Sequence, residues 1–416
     1  MFVGAVSGVL SVVFDWGDFV RDWIKPFGTI FINLLKLIAI PLIMVSLISG
    51  VSNLRDITKL SRIGGKTLSL YLITTVIAIT VGLIAVNTIQ PGKYLSEEKR
   101  IELGERYASD ANMRVTAAES LTSEGPLQVI VDIVPDNIFG AASSNTNMLQ
   151  VIFFAILFGV ALIMTNAEKA MPVKAFFDGA NEAILKVVEI VMRYAPFGVA
   201  ALIWSLVVEI NSWDLFIALG IYAITVLLSL GLMIFAVYPG FMRFFSKIKY
   251  RDFFRAIAPA QLMAFSTSSS AATLPVTMEC VEKNLHVKEE ISSFVLPLGA
   301  TVNMDGTSIH QAVSAVFIAQ VFGQDLTLAD QLMIILTATL SSIGAAAVPS
   351  AGLVTLVIVL GAIGVSVEGL ALIIAIDRPL DMCRTIANIT GDAVVATVVA
   401  STENGFNKPE SLPEMN

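Results

Sequence analysis

Near the C-terminal end of the sequence, Asp377, Asp381, Arg384, Thr385, Asn388 and Asp392 follow one another in steps of about three or four residues. That spacing puts all six on one broad face of a helix. The residues around them are apolar, so the charges stand where a membrane would exclude water. Charges at that depth mark either a pathway or a structural ion-pair network. Arg384 offers a planar fork that can hold a carboxylate by two hydrogen bonds. Asp381, one turn earlier, can pair with an ammonium. Arg378, beside Pro379, falls off this face and reads as an interfacial charge whose stem snorkels.

A second polar island is Asn303-Met304-Asp305-Gly306-Thr307. It reads as an unwound patch: Gly306 is expected to loosen the helix, and freed carbonyls join the Asn303 amide and the Asp305 carboxylate. Such hard oxygens suit Na+. Two further stretches, 253–281 and 330–362, are apolar but broken in the middle. The first break is Ser268-Ser269-Ser270-Ala271-Ala272-Thr273-Leu274-Pro275, the second Ser341-Ser342-Ile343-Gly344-Ala345-Ala346-Ala347-Val348-Pro349. Backbone cannot unwind against lipid, so these tips must line a cavity. Their helix-end N–H groups favour a carboxylate. One ammonium and two carboxylates describe aspartate or glutamate. Asp305 and Asp392 are then left without partners: either they take up protons, or cations neutralise them. In both cases their occupancy becomes linked to that of the substrate.

The elements that must position these groups are long and apolar. Of 416 residues 56% are hydrophobic and 14% charged, well below the quarter or so of charged residues typical of a soluble domain. Apolar segments fall at about 2–15, 28–53, 66–90, 127–165, 182–210 and 215–242, and charged or amide-bearing helices at about 288–320 and 366–401. Arg55, Lys59, Arg62 and Lys66 form one basic connection, and Arg243, Lys247, Lys249, Arg251 and Arg255 another; both are expected in the cytoplasm. The acidic loop that begins at Pro91 is expected outside. With both broken stretches entering and leaving on one side, both termini are cytoplasmic. A broken stretch followed by a polar helix occurs twice, in the same motif order, as an inverted repeat around a midplane site would leave it.

In these motifs the chain resembles the dicarboxylate/amino-acid:cation symporter family, the glutamate transporters. The resemblance runs from Lys25-Pro26-Phe27-Gly28 to the final helix. It implies an all-α polytopic membrane protein with eight transmembrane helices and two re-entrant helical hairpins, built as inverted repeats. It implies a homotrimer in the inner (plasma) membrane and an elevator-like motion. Helices 1 and 2 (1–65) and helices 4 and 5, within 126–245, would be scaffold. Helix 3 (66–90), helix 6 and the core at 246–405 would be the transport domain, with an extracellular loop at 91–125 and a cytoplasmic tail at 406–416. Substrate contacts would be Ser269, Ser270, Thr307, Val348, Asp381, Arg384, Thr385 and Asn388. One Na+ site would use Gly299, Asn303, Asn388 and Asp392. A second would use carbonyls of Thr301, Ser342, Ile343 and Ala345. A third would use Tyr71, Thr74, Thr75, Asn303 and Asp305. The implied function is Na+-coupled uptake of aspartate or glutamate, with proton-coupled uptake of glutamate or a C4-dicarboxylate as the alternative.

The chain departs from the family pattern in places. Ser268 and Met382 stand where many members keep a second arginine, and Gln311 stands where the animal carriers have a proton-linked glutamate. His310 reads as a packed, neutral histidine, with a proton site as the lesser alternative. The other function classes find little support. There is no basic stripe for nucleic acid, no ring-forming repeat for a dedicated ion channel, and no nucleophile–base or metal-protease spacing around the two histidines. Cys280 and Cys383 form neither a disulfide nor a metal spacing.

Overall fold

A backbone in hydrocarbon must satisfy its own hydrogen bonds, and helices do this within one segment. In the computed structural model of the chain, residues 2–53, 61–103, 134–143, 147–210, 213–343 and 351–406 are described, and they are almost entirely helical. Among them the only β-type pairing is an isolated bridge between Val287 and Phe406.

The first group of helices is α1 (Phe2–Val13), α2 (Lys25–Asn53), α4 (Met148–Met164) and α5 (Ala167–Ile210). They pack chiefly on one another, with α2 lying along α5. The approach is close because a Cβ at Gly198 would come within 2.4 Å of the Phe31 side chain. Helix α5 bends by 45° between Val191 and Arg193. Pro196 explains this, since its ring crowds the carbonyl four residues back, at the bend.

The second group holds α3 (Ser61–Ile89), α6 (Trp213–Leu232), α7 (Tyr238–Phe245) and the whole C-terminal third. Helices α8 (Ala258–Thr267) and α9 (Ser270–Glu279) form a hairpin. Its turn is made by Ser268 at φ +52°, a left-handed conformation unusual for a residue with a side chain. Its open ends are tied by Asn284 Nδ2, which donates to the Ala256 carbonyl at 2.8 Å. Helix α10 (Glu289–Val302) is followed after two non-helical residues by α11 (Asp305–Val321). Every residue of α11 is buried, for it is packed by α3, α6, α14 (Leu370–Thr402) and the pair α12 (Leu328–Ile343) and α13 (Ala351–Ala362).

Among the described residues four helices are long and apolar enough to cross a bilayer: Gly17–Ser49, Arg62–Tyr94, Asp214–Phe245 and Ile376–Thr402. The bent pair Ala167–Val191 and Arg193–Ser205 makes a fifth. The sequence reading expected eight. The difference has visible causes: α1 has 12 residues, and the seventh expected helix is split between α10 and α11. The expected 127–165 segment is helical over Met148–Met164, and the expected 182–210 segment begins earlier, at Ala167.

Candidate functional site

Two sites share α14. At the N-terminal end of its polar face, midway along the helix, lies Arg384, 1% exposed. One of its nitrogens, Nη2, donates to Asp377 Oδ1 at 2.9 Å and to Asp381 Oδ1 at 2.7 Å. The other two, Nε and Nη1, are buried without a hydrogen-bond partner among the described residues. Nη1 lies toward α13 and α11: a Cβ at Gly352 would stand 3.2 Å from both Nη1 and the Thr307 methyl. A buried guanidinium that leaves donors unused is costly, and a planar anion would satisfy it. Arg378, half exposed, brings Nη1 to 3.7 Å from Asp381 Oδ2. Its charge therefore faces the site.

At the other end, α14 meets the break between α10 and α11. The unwound residues are Asn303 and Met304, and the helix resumes at Asp305. Gly306 therefore does not loosen the helix, contrary to the sequence reading. It is helical, and its missing side chain lets α11 reach α14, since a Cβ there would fall 2.4 Å from the Arg384 carbonyl oxygen. The two helices exchange hydrogen bonds: Gly306 N–H donates to Asn388 Oδ1 at 2.7 Å, and Asn303 Nδ2 donates to Asp392 Oδ1 at 2.9 Å. Helix α3 adds a face of its own. Thr74 Oγ1 donates to Asn303 Oδ1 at 3.2 Å, Thr75 Oγ1 to Asp305 Oδ1 at 2.9 Å, and Tyr71 OH to the Val295 carbonyl at 2.9 Å. Gly299 sits where a Cβ would come 2.5 Å from both Asp392 Oδ1 and the Tyr71 hydroxyl.

Asp305 and Asp392 are both buried. Among the described residues their hydrogen-bond donors are neutral: Thr75, Asn303 and Tyr238, whose hydroxyl reaches Asp305 Oδ2 at 2.8 Å. No set of three or more His, Cys, Asp and Glu that could hold a transition metal occurs among the described residues. The donor set here is carboxylate, amide, hydroxyl and carbonyl oxygen, which suits a hard monovalent cation.

Residues 1–402 match the Sodium:dicarboxylate symporter family. The chain belongs to that family. Its relatives include the Proton/sodium-glutamate symport protein of Bacillus caldotenax, 36% identical over 98% of this chain and 94% of the relative. The Proton/glutamate-aspartate symporter of Escherichia coli (strain K12) is 34% identical over 94% and 89%. The Excitatory amino acid transporter 3 of Homo sapiens is 37% identical over 89% and 78%.

In this symporter the structure brings together most of the residues singled out from sequence. Thr307, Asp381, Arg384, Thr385 and Asn388 are buried around the first site, with Asn388 Nδ2 donating to Thr307 Oγ1 at 3.3 Å. Thr385 Oγ1 is turned back onto the Asp381 carbonyl at 2.8 Å. Ser269 caps α9 and Ser270 begins it, on the hairpin that packs against α14. Tyr71, Thr74, Thr75, Gly299, Asn303, Asp305 and Asp392 gather at the second site. Thr301 lies two residues before the break, with its side chain exposed and bonded to its own helix. Ser342 and Ile343 end α12. Ala345 and Val348 lie outside the described residues. Two contacts were missed. Tyr238 gave no periodic signal, being the first residue of a short helix after a π-helical turn. His310 was read chiefly as packing, yet its Nε2 lies 3.6 Å from Asp377 Oδ1.

Proposed function

We propose that the chain is a secondary active symporter that takes up L-aspartate or L-glutamate together with Na+. The observation that carries the reading is the opposite need at the two ends of α14. Among the described residues Arg384 has buried donors with no acceptor, and Asp305 and Asp392 are buried carboxylates with neutral donors only. A dicarboxylic amino acid places one carboxylate on the Arg384 fork and its ammonium on Asp381. The helix-end N–H groups at the Ser269–Ser270 tip, together with the backbone of Val348, take the second carboxylate. Cations at the first and third sites (Gly299, Asn303, Asn388, Asp392; Tyr71, Thr74, Thr75, Asp305) neutralise the carboxylates. The carbonyls of Thr301, Ser342, Ile343 and Ala345 hold another. Asn388 serves both ends, which links the two occupancies.

The relatives named for glutamate or aspartate symport support the substrate class. The grouping of helices supports a scaffold of α1, α2, α4 and α5 and a mobile body of the rest, moving as an elevator within a homotrimer. The eight-helix, two-hairpin plan is retained, with the α8–α9 and α12–α13 pairs as the re-entrant elements. The start of α3, carrying Arg62 and Lys66, meets Glu403 at the end of α14. That common end is basic, which supports cytoplasmic termini in a plasma-membrane protein.

Protons are the second reading for the coupling ion, favoured by the proton in the relatives' names. Calorimetry of L-aspartate with the purified protein in NaCl and in choline chloride, at two pH values, separates them. Binding confined to sodium and insensitive to pH supports the first reading. Binding indifferent to sodium and stronger in acid replaces it with the second. No binding in any arm removes the substrate assignment.

A further inference from the structure

Tyr238 is fully buried, and its hydroxyl stands where α7, α11 and α14 meet. It donates to Asp305 Oδ2 on α11 at 2.8 Å and lies 3.2 Å from the Ala387 carbonyl oxygen on α14. The other carboxylate oxygen, Asp305 Oδ1, accepts from Thr75 Oγ1 on α3 at 2.9 Å. Asp305 is therefore held by one hydroxyl on each oxygen, from two different helices. Two features of the chain bring the phenol there. The five residues before it, Met233–Val237, form a π-helical turn, which rotates Tyr238 out of the register of α6; such turns recur at functional sites. On α14, Gly391 leaves room for the hydroxyl: a Cβ there would lie 2.6 Å from it and 3.2 Å from Asp305 Oδ2. A buried tyrosine that only packed would need one acceptor, and the Ala387 carbonyl would suffice. The shorter bond goes instead to the carboxylate.

We propose that Tyr238 is a positioning residue for the coupling cation, acting through Asp305. Its hydroxyl fixes Oδ2 while Thr75 fixes Oδ1, and together they set the plane of the carboxylate. An ionised carboxylate oxygen accepts more than one bond, so a fixed oxygen can still meet a cation. The carboxylate is thus oriented beside Thr74, Thr75 and Asn303 before a cation arrives. A ligand that is already ordered binds more tightly than the same ligand left free to turn. Tyr238 itself supplies no ligand atom. The inference rests on the assignment of Asp305 to a cation site and extends the support of that site to α7.

The test compares the purified parent with Tyr238→Phe, which removes one oxygen and keeps the ring. Tyr222→Phe is the control: it removes the hydroxyl of another fully buried tyrosine, which meets Ser314 Oγ on α11 at 2.7 Å, outside the cation cluster. Two quantities are read: the thermal midpoint from choline chloride through a NaCl titration, and the dissociation constant of L-aspartate at limiting and saturating NaCl. In Tyr238→Phe the sodium concentration at half of the midpoint rise is expected to increase about 10-fold, the order of one hydrogen bond lost by a buried carboxylate. Aspartate affinity is expected to fall about as far at limiting sodium and to return to within about 3-fold of the parent at saturation, by linkage. Tyr222→Phe is expected to keep the parent's sodium dependence. An unchanged sodium dependence in Tyr238→Phe overturns the inference, as does an equal shift in both variants. A loss of aspartate affinity that saturating sodium does not restore, or a Tyr238→Phe chain that fails to fold with or without sodium, also overturns it, since the hydroxyl is then structural. A parent that ignores sodium removes the cation assignment instead, and the inference falls with it.

Discussion

The two ends of the α14 polar face are built from the same residue types and do opposite things. Arg384 and Asp392 are eight residues apart, about 12 Å along a helix axis. Around Arg384 two aspartates crowd one nitrogen while the other nitrogens have no partner among the described residues. Around Asp392 and Asp305 the partners are amide and hydroxyl groups, and no cation offsets the carboxylates among the described residues. One end lacks acceptors and the other lacks positive charge. Neither deficit is relieved by repacking, because each polar group already meets the neighbours its helix provides. In the proposed function a pair of ligands of opposite sign relieves both, with Asn388 between them.

The sharpest way to break the comparison is Arg384→Ala. L-aspartate affinity is expected to fall by about 100-fold or more, as removal of one member of a buried charge pair does. Binding of neutral amino acids should be spared. Calorimetry reads both, and unchanged aspartate affinity would dissolve the distinction between the two ends. Next is Asp392→Asn, which removes negative charge from the cation end alone. Sodium affinity should drop by roughly 10-fold or more, and aspartate affinity at limiting sodium should drop in parallel, because coupling is reciprocal. A variant with the parent's sodium dependence would show that Asp392 is structural.

The smallest effect concerns Glu403, just beyond the same helix. Unlike Asp392 it has cations: Arg62 Nε donates at 2.9 Å, and Lys66 pairs with the other oxygen. Hydrogen bonds from Arg62 and then Lys66 hold its carboxyl down to about 2. A depressed carboxylate contributes stability above its ordinary range and loses it as pH falls through the folded value. Glu403→Gln should therefore flatten the change in thermal midpoint between about pH 5 and about pH 3 relative to the parent. The shift should be slight, since exposed ion pairs contribute little. A midpoint that falls as steeply in the variant would place the acid sensitivity elsewhere.

Much of this was legible in the sequence because charge and amide residues are rare in apolar segments. The face from Asp377 to Asp392, the Asn303–Asp305 island and the serine-rich turn stand out for that reason alone. The repeat order revealed that the two islands belong together. Less legible were features without a compositional contrast. The early residues of α5 are mixed in polarity, so hydropathy began the segment too late. Gly306 suggested looseness, whereas its smallness serves a close approach to Arg384. Tyr71, Thr74 and Thr75 lie at helical spacing on α3, but the pattern equally fits a packing face.

What the sequence by itself determined is the solvent, the helical class and the list of groups that must find partners, since these follow from transfer energies and spacing along one chain. What only the tertiary structure decided is which partner each group receives. Tyr238 comes to Asp305 from a helix 67 residues away, and Thr75 from one 230 residues away. Arg384 brings Nη1 to Gly352, and His310 Nε2 lies 3.6 Å from Asp377 Oδ1. Hydrogen bonds are made or missed within a few tenths of an ångström, and no periodicity along the chain records distances across it.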